Sequence, residues 1–227
     1  MTLTLTDREK RRGWLYLILQ MFLVPNGCAL LCIALGIWSD AVINAAAFFT
    51  NAALALLFFR NLLRQSRKNA RWGRTVLTAL KGFGLYWLLS TLTTTLILSI
   101  RPDFANINDA GVNAMIDEYP LMMALAVVFA APLAEECLFR GWIFTGLAEK
   151  NVPLAYIVTC GLFSIAHVVG YIGSYEPQTL VLCLLQYIGP SFALCWTCRK
   201  NDSLIAPLLL HMTVNALSCA LLPLMGG

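Results

Sequence analysis

Charged residues are scarce in this sequence. Asp, Glu, Lys and Arg make up only 12% of its 227 residues, whereas 59% of the residues are hydrophobic and the mean hydropathy is +0.72. Soluble domains carry about 25% charged residues, and a single core of this size could not bury so much apolar surface. A water-soluble globular fold is therefore excluded, and the composition predicts a protein embedded in lipid.

Other sequence features are absent as well. The first apolar run begins at Trp14 and has no small-residue cleavage site, so we expect a retained membrane helix rather than a removed signal peptide. The Lys and Arg residues lie in short loops, which predicts no nucleic-acid partner. The eight cysteines lie in or beside apolar runs and are expected to pack as small residues. The Cys195–Cys198 pair lacks a second pair that would complete a metal or redox motif.

Long apolar runs dominate the chain. A helix that crosses a membrane needs about 20 mostly apolar residues, and a helix satisfies its own backbone hydrogen bonds in lipid. The sequence therefore predicts an all-α, polytopic transmembrane helix bundle of about seven spans. The predicted spans are residues 14–38, 41–60, 75–100, 119–146, 152–170, 178–198 and 203–224. We predict an N-terminal unit of three spans in residues 1–118 and a core of four spans in residues 119–227. The longest non-apolar stretches are residues 60–74 and 101–118.

Positive charge is concentrated in alternate loops. If the N-terminus is cytoplasmic, the segments on that side hold 13 of the 16 Lys and Arg residues, and the outside segments hold only Arg101. Because positive loops stay in the cytoplasm, we predict a cytoplasmic N-terminus. The 13 residues are Arg8, Lys10, Arg11, Arg12, Arg60, Arg64, Arg67, Lys68, Arg71, Arg74, Lys150, Arg199 and Lys200.

Ionisable residues within membrane spans are costly and are therefore candidates for function. Apart from one lysine near a helix end, the spans contain Glu135, Glu136, Arg140, His167 and His211, and these two histidines are the only ones in the protein. Glu136 and Arg140 are four residues apart and share a helix face, so we predict a supporting ion pair. Glu135 is rotated by about 100° from Glu136, which leaves it free to face a cavity as the catalytic carboxylate.

The positions of these residues predict that they meet at one depth. Glu135 is 16 residues before the predicted turn at Asn151 and His167 is 16 residues after it, so both lie about 24 Å from the turn along their helices. His211 and Asn215 are four residues apart on the last helix and share a face. We therefore expect a carboxylate, two imidazoles and an amide to converge in the inner half of the membrane.

Such a group can activate water in two ways. In one, a carboxylate takes a proton from water that an imidazole orients, and the second imidazole and the amide donate hydrogen bonds to an oxyanion. In the other, Glu135, His167 and His211 bind a catalytic zinc with water as the fourth ligand, although the sequence has no compact motif such as His-Glu-x-x-His. Both chemistries stay open. The expected absence of a carboxylate beside either histidine favours the version without metal.

Three motifs in this region resemble those of the CPBP family, the CAAX proteases and bacteriocin-processing enzymes. Residues 135–141, Glu-Glu-Cys-Leu-Phe-Arg-Gly, resemble its Glu-Glu-x-x-x-Arg motif. Phe163-Ser-Ile-Ala-His167 resembles its Phe-x-x-x-His motif, and His211-Met-Thr-Val-Asn215 its His-x-x-x-Asn motif. The resemblance covers roughly residues 119–216, with the motifs in order on separate spans. It implies an intramembrane endopeptidase, related to the Ras-converting CAAX endoprotease, with a cavity that faces the cytoplasm.

The resemblance also implies roles for individual residues. By it, Glu135 is the base, His167 binds the catalytic water, and His211 and Asn215 support the oxyanion. Supporting positions are held by Glu136, Arg140 and Phe163. Members of the family are commonly labelled metalloproteases, and a metal-independent glutamate mechanism has also been argued. The resemblance therefore implies either zinc or no cofactor.

The expected substrate is a peptide or a membrane protein, cleaved for example at a leader peptide or a C-terminal tail. Prenylated CAAX proteins are scarce in prokaryotes, and the short loops of this compact chain are typical of a bacterial protein of the plasma (inner) membrane. One alternative function is a non-enzymatic scaffold or bacteriocin self-immunity protein of the same fold. Another is a small transporter, although no inverted repeat supports it. The intact motifs favour the protease.

Overall fold

The computed structural model describes residues 2–225, with side chains up to residue 221, and most of these residues are helical. Within them, the only strand-like pairing is an isolated bridge between Ile172 and Tyr175. Nine helices follow one another in this described part. They are α1 Asp7–Ala34, α2 Asp40–Phe58, α3 Arg60–Asn69, α4 Trp72–Ile100, α5 Ile107–Glu118, α6 Pro120–Ala148, α7 Val152–Ala166, α8 Pro177–Asn201 and α9 Ile205–Met225.

Between residues 2 and 225, six helices are long and apolar enough to cross a membrane. They are α1, α2, α4, α6, α8 and α7, which a short 3-10 turn extends to Tyr171. The predicted polytopic helical bundle is therefore confirmed. The seventh predicted span corresponds to α9, in which Ile205–Leu221 is an apolar stretch and the remaining side chains lie outside the described residues.

Polar side chains determine where several helices begin. At the start of α1, the Thr6 hydroxyl accepts a hydrogen bond from the Glu9 amide and the Glu9 carboxylate accepts one from the Thr6 amide. Ser39 and Asn151 each accept a hydrogen bond from an amide in the first turn of α2 and α7. These caps satisfy amides that have no partner inside the helix. They also fix the predicted turn at Asn151.

Helix α6 is not a regular α-helix. π-helical turns occupy Ala126–Ala130 and Glu136–Phe144 within it, and the sequence analysis did not predict them. Such turns bond each amide to the fifth carbonyl before it, and they are frequent at functional sites. Glu135 ends the α-helical part between them and Glu136 begins the second π-helical segment. The neighbouring carboxylates thus lie where the helical register changes.

Both of the long non-apolar stretches between spans contain helices, which the apolar pattern did not indicate. In α3, Leu62 and Ser66 are four residues apart and are both buried against the bundle, while its arginines remain exposed. Helix α5 begins after Asn106, whose side chain accepts hydrogen bonds from two amides of the first turn. Polar sequence is helical at both places because one face packs against protein, and α5 is also capped at its start by Asn106.

Contacts between connecting segments bring the basic loops to one end of the bundle. The Asp202 carboxylate accepts hydrogen bonds from the amides of Thr2 and Leu3, and the Arg74 guanidinium donates to the Lys200 carbonyl at 2.7 Å. Partial burial alone would raise the pKa of Asp202, but these hydrogen bonds lower it below its usual value. We call this end the basic end. It comprises residues 2–12, helix α3 and residues 70–74, 149–151 and 199–204.

The opposite end of the bundle carries the acidic connections, and we call it the acidic end. It comprises residues 35–40, 101–119 and 171–176. Arg101, the one Lys or Arg in these segments, donates a hydrogen bond to the Thr179 hydroxyl at 2.8 Å and lies 3.9 Å from the Glu176 carboxylate. Its acidic residues are Asp40, Asp103, Asp109, Asp117, Glu118 and Glu176.

Two glycines allow α4 and α8 to pack closely. A Cβ atom added at Gly189 would lie 2.9 Å from the Leu89 Cβ, and one added at Gly82 would lie 2.1 Å from the Thr197 hydroxyl oxygen. Lipid supplies no hydrophobic force between apolar helices, so close contact of small residues holds such helices together. The contact between α4 and α8 forms one wall of the bundle.

A core of fully buried side chains fills the bundle near the basic end. Tyr16, Phe59, Leu62 and Leu138 are each 0% exposed, and Leu3 of the N-terminal segment, at 1%, packs with them. The core joins α1, α2, α3 and α6. The N-terminal segment therefore covers the basic end with apolar side chains.

Candidate active site

Three helices bring together the carboxylate and the two imidazoles that the sequence predicted to meet. Glu135 lies in α6, His167 follows the last residue of α7, and His211 lies in α9. The Glu135 Oε2 atom is 3.9 Å from the Nε2 atoms of both histidines. The predicted convergence is therefore confirmed, whereas the catalytic roles of these residues remain predictions.

The neighbouring carboxylate, Glu136, forms the predicted pair with Arg140. Its Oε1 atom accepts a hydrogen bond from Arg140 Nη1 at 2.9 Å, and the two side chains are only 1% and 0% exposed. Arg140 Nη2 also donates to the Ser191 hydroxyl at 2.9 Å, and its guanidinium lies over the Phe163 ring at 4.3 Å. These partners compensate a charge that would otherwise be buried alone.

Glu136 also holds His211, which the sequence analysis did not anticipate. The Glu136 Oε1 atom lies 2.9 Å from His211 Nδ1. A carboxylate paired with arginine is an acceptor, so Nδ1 carries a proton and Nε2 is directed towards Glu135. The expectation that no carboxylate lies beside either histidine was wrong. The two residues are on different helices, and their contact depends on how α6 and α9 are rotated.

His167 is oriented by the end of its own helix. Its Nδ1 atom lies 2.8 Å from the Phe163 carbonyl, four residues earlier, and the last carbonyls of a helix lack amide partners. Because a carbonyl can only accept, Nδ1 donates this hydrogen bond and Nε2 faces Glu135. The imidazole ring lies between the rings of Phe163 and Tyr187, with centroids at 4.4 and 4.3 Å. Phe163 thus contacts both Arg140 and His167, in the supporting position that the motif implied.

The donor atoms match zinc in type but not in spacing. Two ligands of a tetrahedral zinc, with bonds of about 2.1 Å, lie about 3.4 Å apart, whereas Glu135 Oε2 is 3.9 Å from each imidazole Nε2. Among the described side chains, no group of three or more His, Cys, Asp or Glu residues is arranged to hold a metal ion. In this arrangement Glu135, His167 and His211 do not fit a closed tetrahedral site.

Asn215 lies on the same face of α9 as His211, as predicted, but its amide already has a partner. The Asn215 Nδ2 atom donates a hydrogen bond to the Val127 carbonyl at 2.8 Å. Val127 belongs to the first π-helical turn of α6. This contact ties α9 to α6 beside the site. Asn215 also lines the cavity described below, and its predicted oxyanion role stays a prediction.

A cavity of about 910 Å³ contains this group. The N-terminal spans and α5 contribute polar side chains to its wall, and the sequence analysis missed them. They include Gln20, Asn44, Asn51, Tyr86, Asn106 and Asp109. Amide side chains inside apolar runs were the available signal, because such groups need partners or water in a membrane. A smaller cavity between α4 and α8, of about 430 Å³, is lined by apolar, Thr and Gly residues only and carries no chemistry.

Polar contacts join α5 to α8 beside His167. The Tyr187 hydroxyl donates to the Asp109 carboxylate at 2.8 Å and accepts from the Asn108 amide at 3.0 Å. Beside this contact, the side-chain amide of Asn106 donates to the side-chain oxygen of Gln186, the residue before Tyr187, at 2.8 Å. These contacts hold the Tyr187 ring against His167, and no spacing in the sequence indicated them.

Comparisons with known proteins match the same part of the chain. Residues 117–217 match the family model of the Rce1-like type II CAAX prenyl endopeptidases. Over 155 residues the chain is 26% identical to the UPF0177 protein YxdF of Lactococcus lactis subsp. lactis (strain IL1403), covering 67% of this chain and 80% of that protein. No solved structure matches. The matched segment contains every candidate site residue from Glu135 to Asn215, so the part of the chain that holds the site is similar to the Rce1-like CAAX endopeptidases.

Proposed function

We propose that this protein is an intramembrane endopeptidase in which Glu135 activates the attacking water. The observation that carries the proposal is the state of the Glu135 Oε2 atom. It is buried without a hydrogen-bond partner among the described residues, and two imidazole Nε2 atoms lie 3.9 Å from it in a polar cavity. A buried acceptor without a partner is costly in a structural role, whereas a catalytic water would satisfy it.

The spacing suits one water molecule between Glu135 and His167. A water about 2.8 Å from each of two atoms that are 3.9 Å apart can donate one hydrogen to each. Its lone pair then attacks the peptide carbonyl carbon while Glu135 takes its proton. When the tetrahedral intermediate collapses, the C–N bond breaks and Glu135 gives that proton to the leaving nitrogen. The products are a carboxylic acid and an amine, and transfer of a proton between them gives a carboxylate and an ammonium group.

His211 and Asn215 are suited to stabilise the oxyanion. The Glu136 carboxylate at Nδ1 holds the His211 ring, and in the proposed mechanism Nε2 donates a hydrogen bond to the oxyanion. The second N–H of Asn215 is a further donor. One such donor in a dry site is worth about 2.7–4 kcal/mol. The cavity accommodates an extended peptide segment, so the proposed substrate is a peptide or a membrane-protein segment in the plasma (inner) membrane of a bacterium.

The test compares the proteins of cells that express the wild type, Glu135→Gln or Glu149→Gln. Glu149 is the matched control, because it is an exposed glutamate that directly follows the same helix and pairs with Lys10 at the basic end. We expect new N-termini in membrane and secreted proteins with the wild type and with Glu149→Gln, and none with Glu135→Gln at equal protein abundance. In water enriched in oxygen-18, each product carboxylate should gain one label. Identical sets of N-termini for all three proteins would refute the proposal and leave a scaffold or immunity role.

A further inference from the structure

We propose that the cavity opens at the acidic end of the bundle and takes its substrate from the extracytoplasmic side of the membrane. Cleavage of that substrate rests on the proposed function, but the position of the opening does not. The proposed substrate class is a polypeptide segment that is exposed outside the cytoplasm. This differs from the cytoplasm-facing cavity that the family resemblance implies.

The residues that line the cavity reach the acidic end and stop short of the basic end. At the acidic end they include Asn106 and Asp109 at the start of α5, and Gly170 beyond the end of α7. Towards the basic end, the lining residue nearest to a helix terminus is His211, six residues into α9. Six residues of helix are about 9 Å long, so the cavity ends well inside the bundle on that side.

The two ends of the cavity differ in exposure. Asp109, Val169 and Gly170 are exposed at the acidic end, whereas Phe139 and Leu194, at the other end, are buried; Trp87, midway along α4, is exposed as well. Beyond the buried end, the core that includes Tyr16, Leu62 and Leu3 fills the basic end. Water and a peptide therefore have a route from the acidic end, and close-packed side chains block the route from the basic end.

The distribution of positive charge assigns the two ends to the two sides of the membrane. The basic end gathers 13 of the 16 Lys and Arg residues, and the acidic end has only Arg101. Short loops rich in Lys and Arg remain in the cytoplasm because their translocation is disfavoured. The contacts of Asp202 with Thr2, and of Arg74 with Lys200, show that these loops share one end. The acidic end, with the cavity opening, is then extracytoplasmic.

The charge of the cavity wall narrows the substrate class further. Two carboxylates, Glu135 and Asp109, line the described cavity, and no Lys or Arg side chain does. A free C-terminal carboxylate of a substrate would find no Lys or Arg side chain there and would meet two other carboxylates. The site therefore suits an internal, neutral or basic segment of a polypeptide rather than its extreme C-terminus.

Cysteine labelling tests the opening without any use of activity. The parent carries Cys28→Ala and Cys219→Ala, because these cysteines are half-buried and the other six are buried. Gly170→Cys places a thiol at the opening, where no other atom lies within 4 Å of the added Cβ. Arg67→Cys, on the exposed face of α3, is the matched control at the basic end. Each variant is treated with a membrane-impermeant maleimide in two preparations. One is intact cells from which the outer membrane or cell wall has been removed (spheroplasts or protoplasts), and the other is inside-out membrane vesicles.

We expect Gly170→Cys to be labelled at least tenfold faster in the intact cells, and Arg67→Cys at least tenfold faster in the vesicles. The reverse pattern would overturn the proposal, and so would labelling of Gly170→Cys only after detergent is added. If the labelling is as expected but Glu135→Gln changes no cleavage, the proposed function fails while the opening stands.

Discussion

Replacing Glu136 by glutamine should destabilise the protein strongly, because it leaves the buried charge of Arg140 without its carboxylate. The two side chains are 1% and 0% exposed and are joined at 2.9 Å. Removal of one partner from a buried ion pair costs about 3–5 kcal/mol. Arg140 keeps its contacts with Ser191 and with the Phe163 ring in this variant, which places the expected loss towards the lower figure.

The double variant Glu136→Gln/Arg140→Met is the control, because it removes both charges at once. Two apolar or neutral groups of similar volume can replace a buried pair at little cost, so the double variant should be more stable than Glu136→Gln alone. Coupling of this kind is what a double-mutant cycle measures. Purified proteins in the same detergent can be compared by thermal unfolding, where about 3–5 kcal/mol corresponds to a fall of about 6–20 °C in Tm for a chain of this size. Equal Tm values for the wild type and Glu136→Gln would show that the pair is not ionised, and the argument would fail.

His211→Ala should lower kcat by about 100- to 1000-fold with an unchanged fold, since it removes one donor to the oxyanion; a rise in KM with an unchanged kcat would contradict this role. Tyr187→Phe keeps the ring that covers His167 and should retain most activity, whereas Tyr187→Leu should lose about 2- to 10-fold, the worth of one aromatic contact. Protein purified without a histidine tag should show no zinc linked to activity, and a chelator should leave the rate unchanged. The opposite result would assign the chemistry to metal: one equivalent of bound zinc, loss of activity when a chelator removes it, and recovery when zinc is added again. Reporter fusions after residue 68 and after Lys200 should report cytoplasm and a fusion after Asp109 the outside, so an outside signal at residue 68 would reverse the topology.

The sequence alone predicted the parts of this structure that depend on local spacing. The length of the apolar runs predicted the membrane helices, and the spacing of four residues predicted the Glu136–Arg140 pair. The equal distances of Glu135 and His167 from Asn151 along the chain predicted that these two residues lie at the same depth. Each of these inferences uses the constant rise and rotation of a helix. None requires knowledge of how one helix is turned relative to another.

The features that the sequence did not predict depend on such rotations or on departures from regular helix. The contact of His211 with Glu136 spans 75 residues, and the π-helical turns of α6 leave no mark in the apolar pattern. Helix α5 was missed because its sequence is polar, and its place beside Tyr187 is fixed by side-chain hydrogen bonds. Local propensity carries no information on contacts of this kind.

The close approach of α4 and α8 links the site to a contact between helices whose residues Gly189 and Leu89 do not line the site cavity. Gly189 lies between Tyr187, which covers His167, and Ser191, which binds Arg140. A methyl group at position 189 would meet the Leu89 side chain at 2.9 Å and would have to push α8 outwards, since lipid offers no compensating force. Tyr187 and Ser191 would move with it. Variation at a glycine on the outer wall of the bundle can therefore alter the rate of this site while every residue of its motifs stays unchanged.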